Sequence, residues 1–489
     1  MRKLEKSLLI IISAILMIFL IIFNIIKNGN YIKRLNSENI ELVWYTIGIE
    51  PDDMDRVERE VNNYLTKKIN ATIDIRFVDY ADFTKVMNNK TDEGENFDLV
   101  FTSSWANDYY PNAKEGDFLN LNNLIKAYGK DVYKALDKKF WEGAAIDGCI
   151  YAIPNQKEIS SMPMWVFSKE YVEKYNIPYK DIKTLEDLEP WLKLIKENEE
   201  GVIPFYVDDS YSVPMIWDQL APALGINLES NNFQVVNIFK TEEMINNLKT
   251  MRRYKELGYT NTKIGNAGDF STKRFVTKAD GQPYAEKIWS IKSGGEVVAT
   301  PILESYITNG SVNGSMIAIS KNSKNPEKAM EFLNLLNTDK YLRNLINYGI
   351  EGVHYEKISN NKIRLLEESK NYMVDYYTLG NLFITYVLED EPENKWDEFK
   401  EVNNKSNVSQ ALGFKFDPSK VSIELEDVNT VLEEFTRSLY TGLVDTDEYV
   451  SKLINKLESA GIDKVKEELE RQLNDWKIKK ADFLVCFFI

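Results

Sequence analysis

The stretch Ala71-Thr72-Ile73-Asp74-Ile75-Arg76-Phe77-Val78 decides how this chain is read. Ile73, Ile75 and Phe77 fall on one side of an extended backbone and Thr72, Asp74 and Arg76 on the other, the period of two that marks a half-buried strand. Upstream, Ile40 to Tyr45 is rich in β-formers. Met54, Val57, Val61 and Leu65 then recur at helical spacing behind Asp52, which is placed to cap that helix. Downstream, Phe83, Val86 and Met87 mark an amphipathic stretch before Phe97 to Phe101, a nearly continuous apolar run that suits a strand buried on both faces. Strands alternating with helices imply right-handed crossovers and a parallel sheet of the α/β class. Ligands of such sheets sit beyond the carboxyl ends of the strands, so a site is expected on the loops Thr46 to Asp52 and Thr102 to Tyr110.

The remainder of the chain repeats this grammar. Helical patterns run from Thr184 to Glu200, opened by a capping pair Thr184/Asp187, and from Thr241 to Leu257. Met316 to Ile319 is a short apolar strand, and Asn325-Pro326 opens a helix carrying Ala329, Phe332, Leu333 and Leu336. Three helices close the chain, the last with Val465, Leu469, Leu473 and Trp476 on one stripe. Residues 481–489 form an apolar tail without a physical account from sequence. A chain of 489 residues exceeds one core, so two globular lobes are expected.

Net charge is −16, although the first 34 residues carry six basic side chains against Glu5 alone. An acidic body without a basic stripe argues against nucleic acid as a partner. Leu8 to Ile26 is apolar enough and long enough to cross a bilayer, is preceded by Arg2, Lys3 and Lys6, and has no small-residue cleavage site after it. It is therefore expected to be an uncleaved anchor that places the body outside the cell, with residues 1–37 as anchor and stalk. The single histidine, His354, and the two cysteines, Cys149 and Cys486, support neither a hydrolytic triad nor a zinc site, and no metal or cofactor is expected.

Several blocks taken in order are more specific. They are Phe97-Asp98-Leu99-Val100-Phe101-Thr102-Ser103-Ser104-Trp105, Asp147-Gly148-Cys149-Ile150-Tyr151-Ala152-Ile153-Pro154, Lys183-Thr184-Leu185-Glu186-Asp187-Leu188, Ser323-Lys324-Asn325-Pro326-Glu327-Lys328-Ala329 and Tyr348-Gly349-Ile350-Glu351-Gly352-Val353-His354-Tyr355. Together the chain resembles the family 1 extracellular solute-binding proteins of ABC importers, in particular their LipO-like lipoprotein branch. The resemblance implies a type II periplasmic-binding-protein fold, two α/β lobes joined by hinge crossings near Pro154, near residues 300–315 and near Gly349, with a helical C-terminal region. One lobe is then expected from 38–153 with about 312–348, and the other from 154–311 with about 349–480. It also implies a binding subunit rather than an enzyme, and ABC permease subunits as partners. That branch carries a lipidated cysteine after its signal. This chain has no Cys before Cys149, so residues 8–26 would anchor it to the outer face of a bacterial cytoplasmic membrane instead.

The 9 Trp and 27 Tyr residues suit a solute that is a mono- or oligosaccharide, because aromatic faces stack on sugar rings while carboxylates and amides satisfy hydroxyls. The expected ligand-binding residues are Tyr45 at a strand end, Ser104 and Trp105 in the Thr102 to Tyr110 loop, Asn155 and Glu158 after the first crossing, Trp217, Asp218, Trp289 and His354. Two other readings remain open on these residues. A glycoside hydrolase needs only two carboxylates and aromatic subsites, and a receptor module would look the same as a binding subunit.

Overall fold

The computed structural model describes residues 39–487 apart from 231, 267, 268 and 270, so the expected anchor Leu8 to Ile26 lies outside the described residues. In the first lobe a five-stranded sheet runs in the order Ala71–Val78, Ile40–Ile47, Leu99–Thr102, Met316–Ile319, Ala152–Pro154. The first three strands are parallel, and Met316–Ile319 runs against both its neighbours. Ala71–Val78 is the edge, which is why its sequence alternates; Leu99–Thr102, at the centre, is buried at every position. Leu42 and Trp44 pack under the helices Met54–Ile69 and Pro326–Thr338, whereas Val43, Tyr45 and Ile47 face the opposite layer with Phe83 and Met87 of the helix Phe83–Asp92.

The second lobe is built on a mixed four-stranded sheet in the order Val297–Pro301, Pro163–Ser168, Arg274–Asp280, Ile203–Phe205. Its core continues through the helices Leu185–Asn198 and Glu242–Glu256 into the three closing helices, Ser422–Tyr440, Thr446–Ser459 and Ile462–Phe487. Val465, Leu469 and Leu473 are fully buried there, as the stripe requires. The backbone of the last helix passes into the apolar tail without a break, because no Gly or Pro interrupts it between Lys480 and Phe487.

Helix Leu185–Asn198 shows how local chemistry starts an element. Thr184 Oγ1 accepts from the Asp187 N–H at 3.1 Å and the Asp187 carboxylate accepts from the Thr184 N–H at 2.9 Å, a complete capping box. Thr184→Ala is expected to lower stability by about 1 kcal/mol, read as a lower urea midpoint at an unchanged slope.

Three segments cross between the lobes side by side. Ser161 and Tyr306 exchange backbone hydrogen bonds, and Tyr306–Ile307 pairs in parallel with Asn407–Val408. The third crossing therefore falls near Asn407 rather than near Gly349. Residues 349–388, expected in the second lobe, pack on the first: the Tyr372 hydroxyl donates to the Ile346 carbonyl at 2.9 Å, and the Asn381 amide to that of Asn337 at 3.0 Å. The Asp52 cap is also corrected. The helix begins at Met54, neither aspartate caps it through a side chain, and the Asp53 carboxylate instead sits 3.0 Å from His354 Nε2.

Candidate functional site

The open ends of the first-lobe strands gather an aromatic and polar surface. The loop after Leu99–Thr102 is tied at its base, where Ser103 Oγ accepts from the N–H groups of Trp105 and Ala106 and the Ser104 N–H donates to the Asn313 carbonyl. This leaves Trp105 at the tip, 51% exposed, with its indole N–H donating to the Gly314 carbonyl at 2.8 Å. Tyr80, 40% exposed, lies nearly parallel to it, with ring centroids 6.4 Å apart and planes 20° apart. Two large aromatic faces left in water beside one another are unusual unless something covers them.

Polar groups surround this pair. The Tyr80 hydroxyl bonds to the Asp375 carboxylate and lies 2.9 Å from the Tyr377 hydroxyl. Burial, and then the bonds to Asp375 and Tyr377, push the Tyr80 pKa far up, so its phenol stays protonated. Asn155 Nδ2 donates to Ser315 Oγ and to the Tyr377 carbonyl. Asn155 Oδ1, Gln156 Oε1 and Glu158 Oε2 are buried with no partner within the chain, on the segment that leads into the first crossing at Ser161. Buried acceptors are nearly always satisfied, so these three oxygens have capacity left for donors.

From the second lobe, Trp289 lies beside the end of Arg274–Asp280, where Gly281 makes room: a Cβ there would come within 2.9 Å of the indole and 2.3 Å of Met164 Sδ. Lys278, on the same strand, donates to Ser212, and burial lowers its pKa against the pull of Asp280 and Asp208.

Of the expected site residues, Ser104 and Trp105 share the loop tip, Asn155 is buried beneath and tied to Tyr377, Glu158 is paired with Lys157 further along the same segment, and Trp289 stands at the strand ends of the other lobe. Tyr45 does not join them. It is 4% exposed and its hydroxyl is held by Glu95 and Arg76, because the strand runs on to Ile47 and alternation turns Tyr45 under the helix Phe83–Asp92. His354 is fully buried within the first lobe, its Nδ1 accepting from the Ile350 N–H at 2.9 Å and its Nε2 facing Asp53, so it closes a turn rather than meeting a ligand. Trp217 is held by Glu243 at 2.6 Å on the second lobe's core, and Asp218 is buried against Ser409 of the third crossing.

Tyr80 was legible by the same strand-end rule that singles out Trp105, since it follows Ala71–Val78 directly. Asp375, Tyr376 and Tyr377 had no local signal; Arg343 Nη2, from the buried face of Lys340–Tyr348, holds the Tyr376 carbonyl at 2.9 Å and brings the segment in.

Beyond the third crossing, Lys415 reaches the first lobe and donates to the Gly143 carbonyl at 2.9 Å. Burial lowers its pKa to about 7, opposed by the charges of Asp218 and Asp108. An unfolded lysine titrates near 10.4, so between about pH 7 and 10 the unfolded chain holds the extra proton and stability rises with pH. Lys415→Met is expected to flatten that rise relative to the parent protein in urea titrations across the window.

A sheet-based pair of lobes, joined by three adjacent crossings and presenting aromatic and hydrogen-bonding groups from strand ends, is a type II periplasmic-binding-protein fold. The chain belongs to the bacterial extracellular solute-binding protein family, whose pattern matches residues 51–342, and is the solute-binding subunit of an ABC importer. Residues 410–478 match a domain of unknown function, DUF3502. A carbohydrate ABC transporter substrate-binding protein of Streptococcus pneumoniae is 31% identical over 92% of this chain and 93% of its own length. The crystal structure of the N-glycan transport solute-binding protein NgtS, also from Streptococcus pneumoniae, superposes with a TM-score of 0.84 at 31% identity, covering 90% of this chain and 100% of that one. For the NgtS complex with Man5GlcNAc the TM-score is 0.73 at 31% identity, over 90% of this chain and 99% of that one.

Proposed function

We propose that this protein captures an oligosaccharide between its lobes and delivers it to the membrane subunits of the importer. The observation that carries this reading is the parallel pair Trp105 and Tyr80, half in water and flanked by Asp375 and Tyr377, with the unpartnered oxygens of Asn155, Gln156 and Glu158 on the segment tied to Tyr377. Sugar rings present apolar faces to such a platform and hydroxyl donors to such acceptors. Trp289 supplies a face from the other lobe, so the ligand would bridge both and favour the closed arrangement. Likeness to a relative crystallised with glycans supports the same class, and the lower TM-score to the glycan complex suits lobes that change disposition on binding. Residues 8–26 would hold the protein at the outer face of the membrane, within reach of the permease.

The test is calorimetry of the full-length protein with Man1GlcNAc, Man5GlcNAc and short peptides, followed by analysis of the recovered ligand. Saturable binding of a glycan that is returned intact is the expected result. Glycan cleavage would replace the reading with a hydrolase, and a preference for peptides would remove the sugar.

A further inference from the structure

Asp375 stands where two strands of the first lobe end. Its carboxylate accepts from the hydroxyl of Tyr80, two residues past Ala71–Val78, and a Cβ on Gly48, the residue after Ile40–Ile47, would come within 3.1 Å of Asp375 Oδ2. Both contacts fall on that one oxygen. Among the described residues no hydrogen bond or ion pair engages Asp375 Oδ1, and the residue is only partly buried. Three carboxylates weigh on the neighbouring Tyr376: burial, and then the charges of Glu158, Asp375 and Glu391, push its phenol pKa up. Glu158 is paired with Lys157 and Glu391 with Lys395, which leaves Asp375 as the carboxylate of the three without a cation. Among the described residues no hydrogen bond, ion pair or ring contact brings a Lys or Arg side chain to Tyr80, Trp105 or Asp375.

We infer that Asp375 sets the choice of sugar in the cleft: its free oxygen accepts a hydroxyl of a neutral sugar lying on Trp105 and Tyr80, and its unpaired charge turns away a sugar that carries a carboxylate. The inference rests on the cleft being a glycan site. An ionised acceptor makes a shorter and stronger hydrogen bond than a neutral one, so a hydroxyl that reaches Oδ1 is held firmly. The bond from Tyr80 to the other oxygen fixes the direction in which Oδ1 points, which gives the contact its stereochemical reading. A uronate on the same platform would bring like charge to Asp375 as the sugar displaces water, where repulsion is stronger than in bulk solvent. Lys157, on the segment tied to Tyr377, is engaged by the Glu158 carboxylate and carbonyl, so an acidic sugar would have to break that pair to gain a cation there. Discrimination of this kind comes from a repulsive element as much as from an attractive one.

The experiment is calorimetry of the full-length protein with a matched pair of ligands, Man1GlcNAc and the same disaccharide with its mannose oxidised at C6 to the uronate. The parent protein is expected to prefer the neutral form by about tenfold or more. Asp375→Asn keeps the shape of the side chain and an oxygen for the Tyr80 hydroxyl, so the platform stays in place while the charge goes. It should weaken Man1GlcNAc about tenfold and bring the two affinities together. Asp375→Glu, which keeps the charge but moves it, should lose neutral affinity and still reject the uronate. A side chain that served only to hold the fold would change both affinities alike and leave their ratio untouched. If Asp375→Asn keeps the parent's preference, or binds the neutral disaccharide as tightly as the parent, or if the parent binds both forms alike, the role of Asp375 is overturned while the cleft reading stands. If Trp105→Ala leaves Man1GlcNAc bound as before, or the parent binds neither Man1GlcNAc nor Man5GlcNAc, the cleft reading itself fails, and this inference with it.

Discussion

Replacing Trp105 with alanine is expected to weaken oligosaccharide binding about 30-fold or more, with little change in melting temperature. The indole is half exposed and makes one hydrogen bond, to the Gly314 carbonyl, so its removal opens no cavity in the core. Once a sugar covers it, that face becomes buried area, and aromatic anchors of this kind carry about 2 kcal/mol or more in interfaces. Trp105→Phe keeps a face but loses the N–H, which sets the tilt of the ring against Tyr80. An intermediate loss, about fivefold for a hydrogen bond worth about 1 kcal/mol, is expected. Tyr45→Phe is the matching control. Its hydroxyl serves Glu95 and Arg76 inside the first lobe, so glycan affinity should not move. Calorimetric titration of the three variants separates a stacking platform from a general aromatic effect. Full affinity in Trp105→Ala would exclude the platform.

The largest effect on stability is expected from Gly349→Ala. Gly349 ends the helix Lys340–Tyr348 at φ +78 and ψ −145, a region open almost only to glycine. A Cβ there would fall 2.3 Å from His354 Nδ1 and 2.8 Å from its Cγ, and the ring has nowhere to go: it is fully buried, tied to the Ile350 N–H and to Asp53, and set against Tyr372. Strain and overlap together should cost about 3 kcal/mol or more. Gly352, in the same block, also has positive φ, at +80, but nothing lies within 4 Å of its missing Cβ. Gly352→Ala should therefore cost only the left-handed backbone penalty of about 1 kcal/mol. Urea unfolding of the two variants reads the difference directly, and equal midpoints would mean that the His354 turn is not a rigid element of the lobe.

Much of the architecture was legible because it is written in short-range periodicity. Alternation along Ala71–Val78 identified a half-buried strand, which the sheet order places at the edge, and the nearly continuous apolar run ending at Phe101 a central one. The stripe on the last helix marked its buried face, and the Thr184/Asp187 pair marked a helix start. Trp105 followed from a rule about where parallel strands end. The same rule applies to Tyr80, two residues past the end of Ala71–Val78, in a segment with no cluster of aromatics.

The errors share a cause. Tyr45 was placed at a strand end, but two more residues extend that strand and return the side chain to the interior. His354 is expected at the ligand, but Asp53, at the other end of the lobe in sequence, takes its second nitrogen. Residues 349–388 were assigned to the wrong lobe because their short strands and single turns of helix carry little periodicity of their own, and only contacts with Asn337 and Ile346 settle where they dock.

The sequence by itself determined the strands and helices of the first lobe from Ile40 to Phe101, the strand Met316–Ile319 and several helices beyond, since periodicity is a property of residues close together along the chain, while chain length and family resemblance pointed to two α/β lobes. Tertiary structure alone decided that Asp375 and Tyr377 complete the surface around Tyr80 and Trp105, held there by Arg343, Asn155 and Ser315. The reason is physical: a binding surface is assembled from side chains hundreds of residues apart, whose meeting depends on how whole faces pack and on no pattern within any one of them.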